Sequence, residues 1–177
     1  MIRHGKVSRS SLEAAPAGFD VEKAERFMRR AIELGRKGAE AGDGGPFGAV
    51  IVKDDKIIAE GWNRVIAEND PTAHGEVVAI RAAGQKLRSF GLQGCTLYSS
   101  GEPCPMCLSA SYWARLARVF YGFSIQEAAA AGFDDQLIYE ELGKPRDERK
   151  LPLVQLLGPE ALQELKRYAA NPQRVSY

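Results

Sequence analysis

His74-Gly75-Glu76 and Pro103-Cys104-Pro105-Met106-Cys107 are the two stretches that decide how this chain folds and what it can bind. One histidine and two cysteines are ligands that suit Zn²⁺, and three protein ligands leave the fourth tetrahedral position open. An open position is typical of a catalytic zinc site. Glu76 is interpreted as a carboxylate beside the metal rather than as a ligand. The pattern therefore predicts zinc bound by His74, Cys104 and Cys107, with Glu76 moving protons for a bound water.

Both stretches fall at predicted helix starts. Thr72 is expected to cap a helix over residues 74–87, and Pro105 suits the first turn of a helix that runs to about Ala114. A helix N-terminus carries unpaired N–H groups and a partial positive charge, which favour the thiolate that a metal requires. Cys104 and Cys107 are three residues apart and so face the same side. We therefore expect the two helix N-termini to converge on the metal.

A structural zinc site is the main alternative interpretation of the two cysteines. A closed structural site would need a fourth protein ligand, and only His4 and Cys95 remain among the histidines and cysteines. Cys95 begins a predicted strand and is interpreted as a small buried hydrophobic residue. A non-catalytic module stabilised by zinc is therefore the less favoured reading.

The bulk composition excludes several classes of protein. The 177 residues are 45% hydrophobic and 27% charged, as expected for one soluble globular domain. A net charge of +1 gives no electrostatic case for binding nucleic acid or a membrane surface. No apolar stretch approaches the roughly 20 residues that span a bilayer. Without a hydrophobic signal segment, we expect a cytoplasmic protein; a transit peptide is the alternative for the basic N-terminus.

The hydrophobic pattern predicts an α/β layered domain with a mixed sheet. The predicted strands are Phe47–Lys53, Lys56–Trp62, Cys95–Ser99, Leu116–Phe123 and Leu151–Leu156. The first two are expected to form a short hairpin around Asp54-Asp55, and Asn63–Pro71 is interpreted as a polar loop.

The predicted helices cover about 21–41, 74–87, 105–114, 125–131, 134–142 and 159–170. Asp20 is expected to cap the first of these helices, and Ser124 and Glu127 are expected to form a capping box at the start of the fourth. We expect residues 1–18 to be a flexible extension, 19–158 the catalytic domain, and 159–177 a C-terminal helix and tail.

Four blocks resemble the bacterial guanine deaminases of the cytidine deaminase superfamily. The blocks are residues 44–52, 69–74, 102–107 and 131–135. The first three are shared with nucleobase and tRNA deaminases, and the fourth, followed by Leu137-Ile138-Tyr139, is more specific to guanine deaminases. The resemblance implies a three-layer α/β/α sandwich around a mixed five-stranded sheet and a homodimer. It also implies hydrolysis of guanine to xanthine and ammonia by a zinc-bound hydroxide, with Glu76 as the proton shuttle.

The same resemblance implies roles for residues outside the metal centre. Asp135 would be a second catalytic carboxylate, although the residues alone equally fit a helix cap. The implied substrate-binding set is Asn63, Phe47, Trp113, Ala73 and Tyr177. Asn63 would hydrogen-bond the purine, and Phe47 and Trp113 would pack around it, whereas a turn asparagine and ordinary core aromatics are the alternatives. Tyr177 would lie on a C-terminal tail that, in that family, closes over an active site of its own subunit or of the partner; an unordered last residue is the alternative.

The sequence leaves the substrate open. Gly75 stands where the family usually has alanine, and glycine there is familiar from yeast-type cytosine deaminases. Guanosine, cytosine and tRNA adenosine therefore remain alternatives to guanine. The basic residues of the C-terminal third are interspersed with acidic ones, a mixture that favours solvated helix faces over a nucleic-acid surface.

Overall fold

A mixed sheet of four strands forms the centre of the computed structural model, which describes residues 19–133 and 135–176. The strands are β1 (Gly48–Lys53), β2 (Lys56–Trp62), β3 (Thr96–Gly101) and β4 (Arg118–Phe123). Their order across the sheet is β2-β1-β3-β4. β1 pairs antiparallel with β2 and β3, whereas β3 and β4 are parallel.

The turn between β1 and β2 confirms the predicted hairpin. Asp54 and Asp55 both have positive φ angles, 48° and 59°. Two consecutive left-handed residues form the turn whose twist matches that of paired strands, and short polar side chains tolerate that conformation. The turn sets the register in which Lys53 pairs with Lys56.

Helices cover both faces of the sheet, which confirms the predicted three-layer sandwich. The helix α1 (Val21–Glu40) is capped by Asp20, whose side chain accepts from the Lys23 amide. Its buried stripe of Ala24, Phe27 and Leu34 packs against Val50, Val52 and Tyr98. Because side chains alternate along a strand, Ala49, Ile51 and Leu97 face the other side. There they pack against Ala79 and Ala83 of α3 (Gly75–Leu87).

The remaining helices lie around this sandwich. They are α2 (Val65–Glu68), α4 (Pro105–Trp113), α5 (Ile125–Ala130), α6 (Asp135–Gly143) and α7 (Gly158–Ala170), with a 3₁₀ turn at Arg146–Glu148. The predicted capping box is present, since Ser124 and Glu127 bond each other's backbone at the start of α5. No helix in the described ranges is long and apolar enough to cross a membrane.

The predicted fifth strand is wrong. Residues 151–156 form no strand, and the sheet built by the described residues has four. Pro152 has no N–H to donate to a neighbouring strand, and the segment is exposed rather than packed on the sheet edge.

The predicted cap at Thr72 is also wrong. The residue that caps α3 is His74, and the Thr72 hydroxyl instead donates to the Asp70 carboxylate at 2.7 Å. The same carboxylate accepts from the Thr72 amide, so the two residues close a turn before the helix. The expected N-terminal extension, residues 1–18, lies outside the described residues.

Candidate metal centre and active site

The three predicted metal ligands meet at the N-termini of two helices. His74 caps α3 and Cys104 caps α4, both with extended backbone, and Cys107 follows in the first turn of α4. His74 Nδ1 lies 3.6 Å from the Sγ atoms of both cysteines. All three ligand atoms lie within 4.8 Å of one another.

This spacing fits a zinc ion. Tetrahedral Zn–N and Zn–S bonds of about 2.1 and 2.3 Å place neighbouring ligand atoms about 3.6 Å apart. One imidazole and two thiols are also the donor types that zinc prefers. The side chains therefore have the chemistry and the separation that zinc requires.

The site shifts the pKa values of the two thiols in opposite directions. Hydrogen bonds donated by Cys107 and by His74 lower the pKa of Cys104 to about 4. The same pairing with Cys104, together with burial, raises the pKa of Cys107. The site therefore favours the thiolate form of Cys104, whereas the Cys107 proton must leave when a metal binds.

Glu76 is buried beside the ligands, with 4% of its surface exposed. The Ser99 hydroxyl donates to its Oε1 at 3.1 Å, and the Cys107 thiol contacts its Oε2 at 3.4 Å. Glu76 and His74 can share this pocket because His74 lies at the cap, before the helical backbone begins. Burial raises the pKa of Glu76, which suits a carboxyl group that must both accept and release a proton.

A cavity of about 290 Å³ opens over these groups. Its polar wall consists of Asn63, His74, Glu76, Glu102, Cys104 and Asp135. Its other wall consists of Gly44, Gly45, Phe47, Val65, Ile66 and Phe133. The structure thus brings the predicted Phe47, Asn63 and Asp135 to the same cavity as Glu76. The size and mixed lining suit a small planar molecule with several polar atoms.

Asn63 is held so that one end of its amide is occupied and the other is free. Its Oδ1 accepts from the Val65 amide at 3.2 Å, and its backbone N–H donates to the Phe47 carbonyl at 2.8 Å. Its side-chain nitrogen has no hydrogen-bond partner in the described part of the chain, although the residue is only 7% exposed. The free N–H groups are therefore available to a ligand acceptor in the cavity.

Asp135 and two aromatic rings complete the cavity. Asp135 opens α6, and burial raises the pKa of its carboxyl group. The rings of Phe47 and Phe133 meet edge to face, with centroids 4.7 Å apart and planes at 88°. The arrangement offers a carboxylate to hydrogen-bond donors and an apolar surface to a flat ring.

Three members of the predicted substrate-binding set are not placed in this cavity. Trp113 is 68% exposed and lines a separate depression with Tyr112 and Arg115. Nine residues of helix put it roughly 13 Å along α4 from Cys104, which explains why it does not reach the cavity of its own chain. Ala73 is fully buried outside the cavity lining, and its carbonyl accepts from the Arg64 amide. Tyr177 lies outside the described residues.

Several cavity residues were missed from the sequence. Val65 and Ile66 were interpreted as part of a polar loop, although two adjacent apolar residues in that loop were a usable signal. Nothing in the sequence indicated that Phe133 lines the cavity, apart from its position two residues before Asp135. Glu102 accepts from the Ile125 amide at 3.1 Å and also lines the cavity.

Comparison with known proteins connects this geometry to a family. The family model described as the cytidine and deoxycytidylate deaminase zinc-binding region matches residues 21–123. The guanine deaminase of Bacillus subtilis (strain 168) is 54% identical over 153 residues, which are 86% of this chain and 98% of that protein. A tRNA-specific adenosine deaminase of Haemophilus influenzae is 43% identical over 117 residues, which are 63% of this chain and 67% of that protein.

The fold agrees with the sequence comparison. The X-ray structure of guanine deaminase from Bacillus subtilis superposes with a TM-score of 0.83 at 51% identity. The superposition covers 86% of this chain and 98% of that chain.

Proposed function

The chain belongs to the cytidine and deoxycytidylate deaminase family, and we propose that it hydrolyses guanine to xanthine and ammonia. The observation that carries the proposal is the cavity that Glu76, Asn63 and Asp135 line together with His74 and Cys104, two of the three metal-binding side chains. The 54% identity to the guanine deaminase of Bacillus subtilis, over nearly all of that protein, supports guanine as the substrate.

Zn²⁺ is the cofactor, and His74, Cys104 and Cys107 would hold it. When bound, zinc supplies a water molecule whose pKa is lowered to about 7, which makes it a nucleophile at neutral pH. The choice of zinc over a harder cation follows from the two thiols, which Mg²⁺ and Ca²⁺ do not favour.

Glu76 moves the protons of the reaction. Its Oε1 is occupied by Ser99, so its Oε2, on the side of the metal ligands, is the oxygen placed to act. It accepts a proton as water attacks the carbon that bears the amine, and passes that proton to a ring nitrogen. It then takes up the proton of the newly added hydroxyl and passes it to the departing amine, which leaves as ammonia, so that the carboxyl group ends as it began. General acid–base assistance of this kind contributes about 10²–10⁴-fold in rate.

Asn63, Asp135 and Phe47 orient the base. Guanine offers ring nitrogen and carbonyl acceptors together with N–H donors. The free N–H groups of Asn63 can bind the acceptors, and the Asp135 carboxylate can bind the donors. Phe47 and Phe133 contact the ring surface. Adenine lacks the N–H that guanine carries at N1 of its six-membered ring, so an acceptor such as Asp135 favours guanine over adenine.

An ammonia-release panel tests the substrate. We expect guanine to be deaminated with the highest kcat/KM among guanine, guanosine, adenine and cytosine, and the activity to disappear with a chelator and return with zinc. Preference for cytosine or adenine would overturn the choice of substrate. Absence of zinc-dependent ammonia release from every compound would overturn the enzyme itself.

The basic residues near the C-terminus do not favour tRNA as the substrate. Lys144 pairs with Glu141 and Arg167 with Glu164, while Arg149 donates to the carbonyls of Lys144 and Leu142. These contacts engage the cations within the chain rather than presenting them as a phosphate-binding surface. Deamination of a tRNA stem-loop with steep salt dependence would contradict this assignment.

We also propose that the protein is a homodimer whose C-terminal tail closes over an active site. Several apolar side chains between residues 151 and 175 are exposed in the single chain, and we expect a second protein surface to bury them. The most exposed are Leu151, Val154, Leu156, Leu157, Leu165 and Val175. A patch of this extent is typical of a protein interface, and a second copy is the partner that the tail proposal requires.

Mixing two inactive variants distinguishes closure within a subunit from closure across subunits. One variant carries Glu76→Gln, and the other lacks the residues after Asn171. If the tail closes over the partner's site, refolding the two together restores activity. If it closes over its own site, the mixture stays inactive. A monomer in both light scattering and cross-linking would contradict the dimer.

A further inference from the structure

The helix that carries Asp135 has little to fix its position. α6 begins at Asp135, and none of its described residues is buried. A helix without a buried stripe gains little from packing, and short helices are marginal on their own. A carboxylate that must meet a substrate within a few tenths of an ångström therefore needs another constraint.

Tyr139 supplies a direct connection between α6 and the metal-binding segment. Its hydroxyl donates to the Pro103 carbonyl at 3.0 Å. Pro103 immediately precedes the ligand Cys104, and Tyr139 follows Asp135 by four residues, which places both on the same side of the helix. The bond therefore joins the face that carries Asp135 to the chain at Cys104.

The other hydrogen bonds made by α6 side chains do not fix its place in the site. Gln136 bonds Glu140 within the helix. Glu141 accepts from Lys144 and from the Lys150 amide, both in the segment that follows. Within residues 19–133 and 135–176, the Tyr139 bond is the hydrogen bond that connects a side chain of this helix to the metal-binding segment.

Loss of this bond would also leave its acceptor, the Pro103 carbonyl, without a donor. Pro103 is buried, and a buried carbonyl that loses its donor incurs a desolvation penalty. Removing the hydroxyl would therefore both release the helix and leave an unfavourable group beside Cys104.

We propose that Tyr139 is a positioning residue, which holds Asp135 at a fixed place relative to the metal ligands. The inference rests on the proposed function, because Asp135 acts on the purine. It assigns the hydroxyl of Tyr139 to alignment of the base rather than to the chemistry of the reaction.

Tyr139→Phe tests the assignment, because it removes one oxygen and keeps the ring. We expect kcat/KM for guanine to fall about tenfold, as a lost hydrogen bond and a displaced catalytic group together imply. Zinc content should be unchanged, and amide hydrogen exchange in residues 136–143 should become faster. Tyr98→Phe is the matched control: its ring is buried in the cluster between β3 and α1, and its hydroxyl has no hydrogen-bond partner in the described ranges. This control should leave both measurements unchanged.

A double-mutant cycle with Asp135→Asn separates positioning from an independent contribution. If Tyr139 acts through Asp135, Tyr139→Phe should cost less than about twofold in the Asp135→Asn background. Full additivity would overturn the proposal. If the wild-type protein releases no ammonia from guanine, the proposed function fails, and hydrogen exchange still decides the role of Tyr139. Unchanged exchange in α6 of Tyr139→Phe would overturn it.

Discussion

Ser99 and Ser100 are adjacent in β3 and hold the active site from opposite faces of the sheet. Ser99 donates to the Glu76 carboxylate on the side covered by α3. Ser100 accepts from the Gly48 amide at 2.9 Å and contacts the Pro46 carbonyl, so it fixes both sides of the residue Phe47. Because alternate residues of a strand face opposite sides, one dipeptide supports both the Glu76 carboxylate and the loop that carries Phe47.

Glu76→Gln should abolish most turnover without releasing zinc. The amide keeps the size of the side chain and cannot take up the proton, so we expect kcat to fall by about 10²–10⁴-fold. Ammonia release measures the rate, and elemental analysis measures zinc. Glu25→Gln, on the exposed side of α1, is the control and should behave as the wild type. Near-normal turnover in Glu76→Gln would contradict the role of the carboxylate.

Gly44→Ala should impair binding of the base. A Cβ at this position would lie 2.0 Å from the Asn63 Oδ1, so the asparagine would have to move. We expect a higher KM for guanine, by about tenfold if one good hydrogen bond is lost. Gly143→Ala is the control, since a Cβ there meets nothing within 4 Å. An unchanged KM would show that Asn63 does not contact the substrate.

At the residue scale, the sequence was most informative where chemistry restricts the choice of side chain. His74, Cys104, Cys107 and Glu76 could be predicted because few residue types bind zinc or carry its protons. Ile66 and Phe133 could not, because their place in the cavity depends on the path of loops between elements. Trp113 was assigned to the cavity from a resemblance, and the length of α4 keeps it away from its own site.

The elements differ in how far local sequence determines them. The start of α1 at Asp20 and the capping box of α5 were predicted because a cap uses residues only a few positions apart. A strand needs a partner, and residues 151–156 have a strand-like composition without a paired edge. The fifth strand was therefore predicted wrongly because no described strand pairs with this segment, although its pattern of residues suits a strand.

The contact between α1 and β2 includes a bidentate ion pair. Arg30 donates from Nε and Nη2 to the two carboxylate oxygens of Glu60, each at 2.7 Å. This hydrogen bonding holds the pKa of Glu60 below its ordinary value. A carboxyl group whose pKa is lowered on folding stabilises the protein above the unfolded pKa, and this contribution is lost as the pH falls through the folded value.

Glu60→Gln should therefore destabilise the protein at neutral pH and have less effect in acid. We expect a loss of about 1 kcal/mol in the free energy of unfolding at pH 7, reduced from the buried-pair value because the side chains are partly exposed. The difference should shrink below about pH 4. Urea unfolding of metal-free wild type and variant measures it, with Glu40→Gln on exposed α1 as the control. A difference that grows in acid would contradict the assignment.

For the whole molecule, the exposed apolar stretch after α6 is the surface on which the dimer proposal depends. Leu153→Asp with Leu156→Asp should convert a dimer into a monomer, because each charge would have to be buried at the proposed interface. Light scattering at several concentrations measures the mass. Gln155→Asp adds a charge to the same stretch without removing apolar surface and should remain a dimer. A dimer in the double variant would show that the subunits associate through another face.

The order of the metal ligands along the chain has a consequence for folding. His74 is separated from Cys104 and Cys107 by 30 and 33 residues, and the enclosed segment contains both α3 and β3. An ion held by all three joins the two ends of this segment only in the folded chain, where the ligands are assembled, so its binding free energy adds to the stability of the fold. We therefore expect chelation to lower the melting temperature of Glu76→Gln as much as that of the wild type. The ion proposed for the reaction therefore also stabilises the folded topology, by linking two segments that are distant in the sequence.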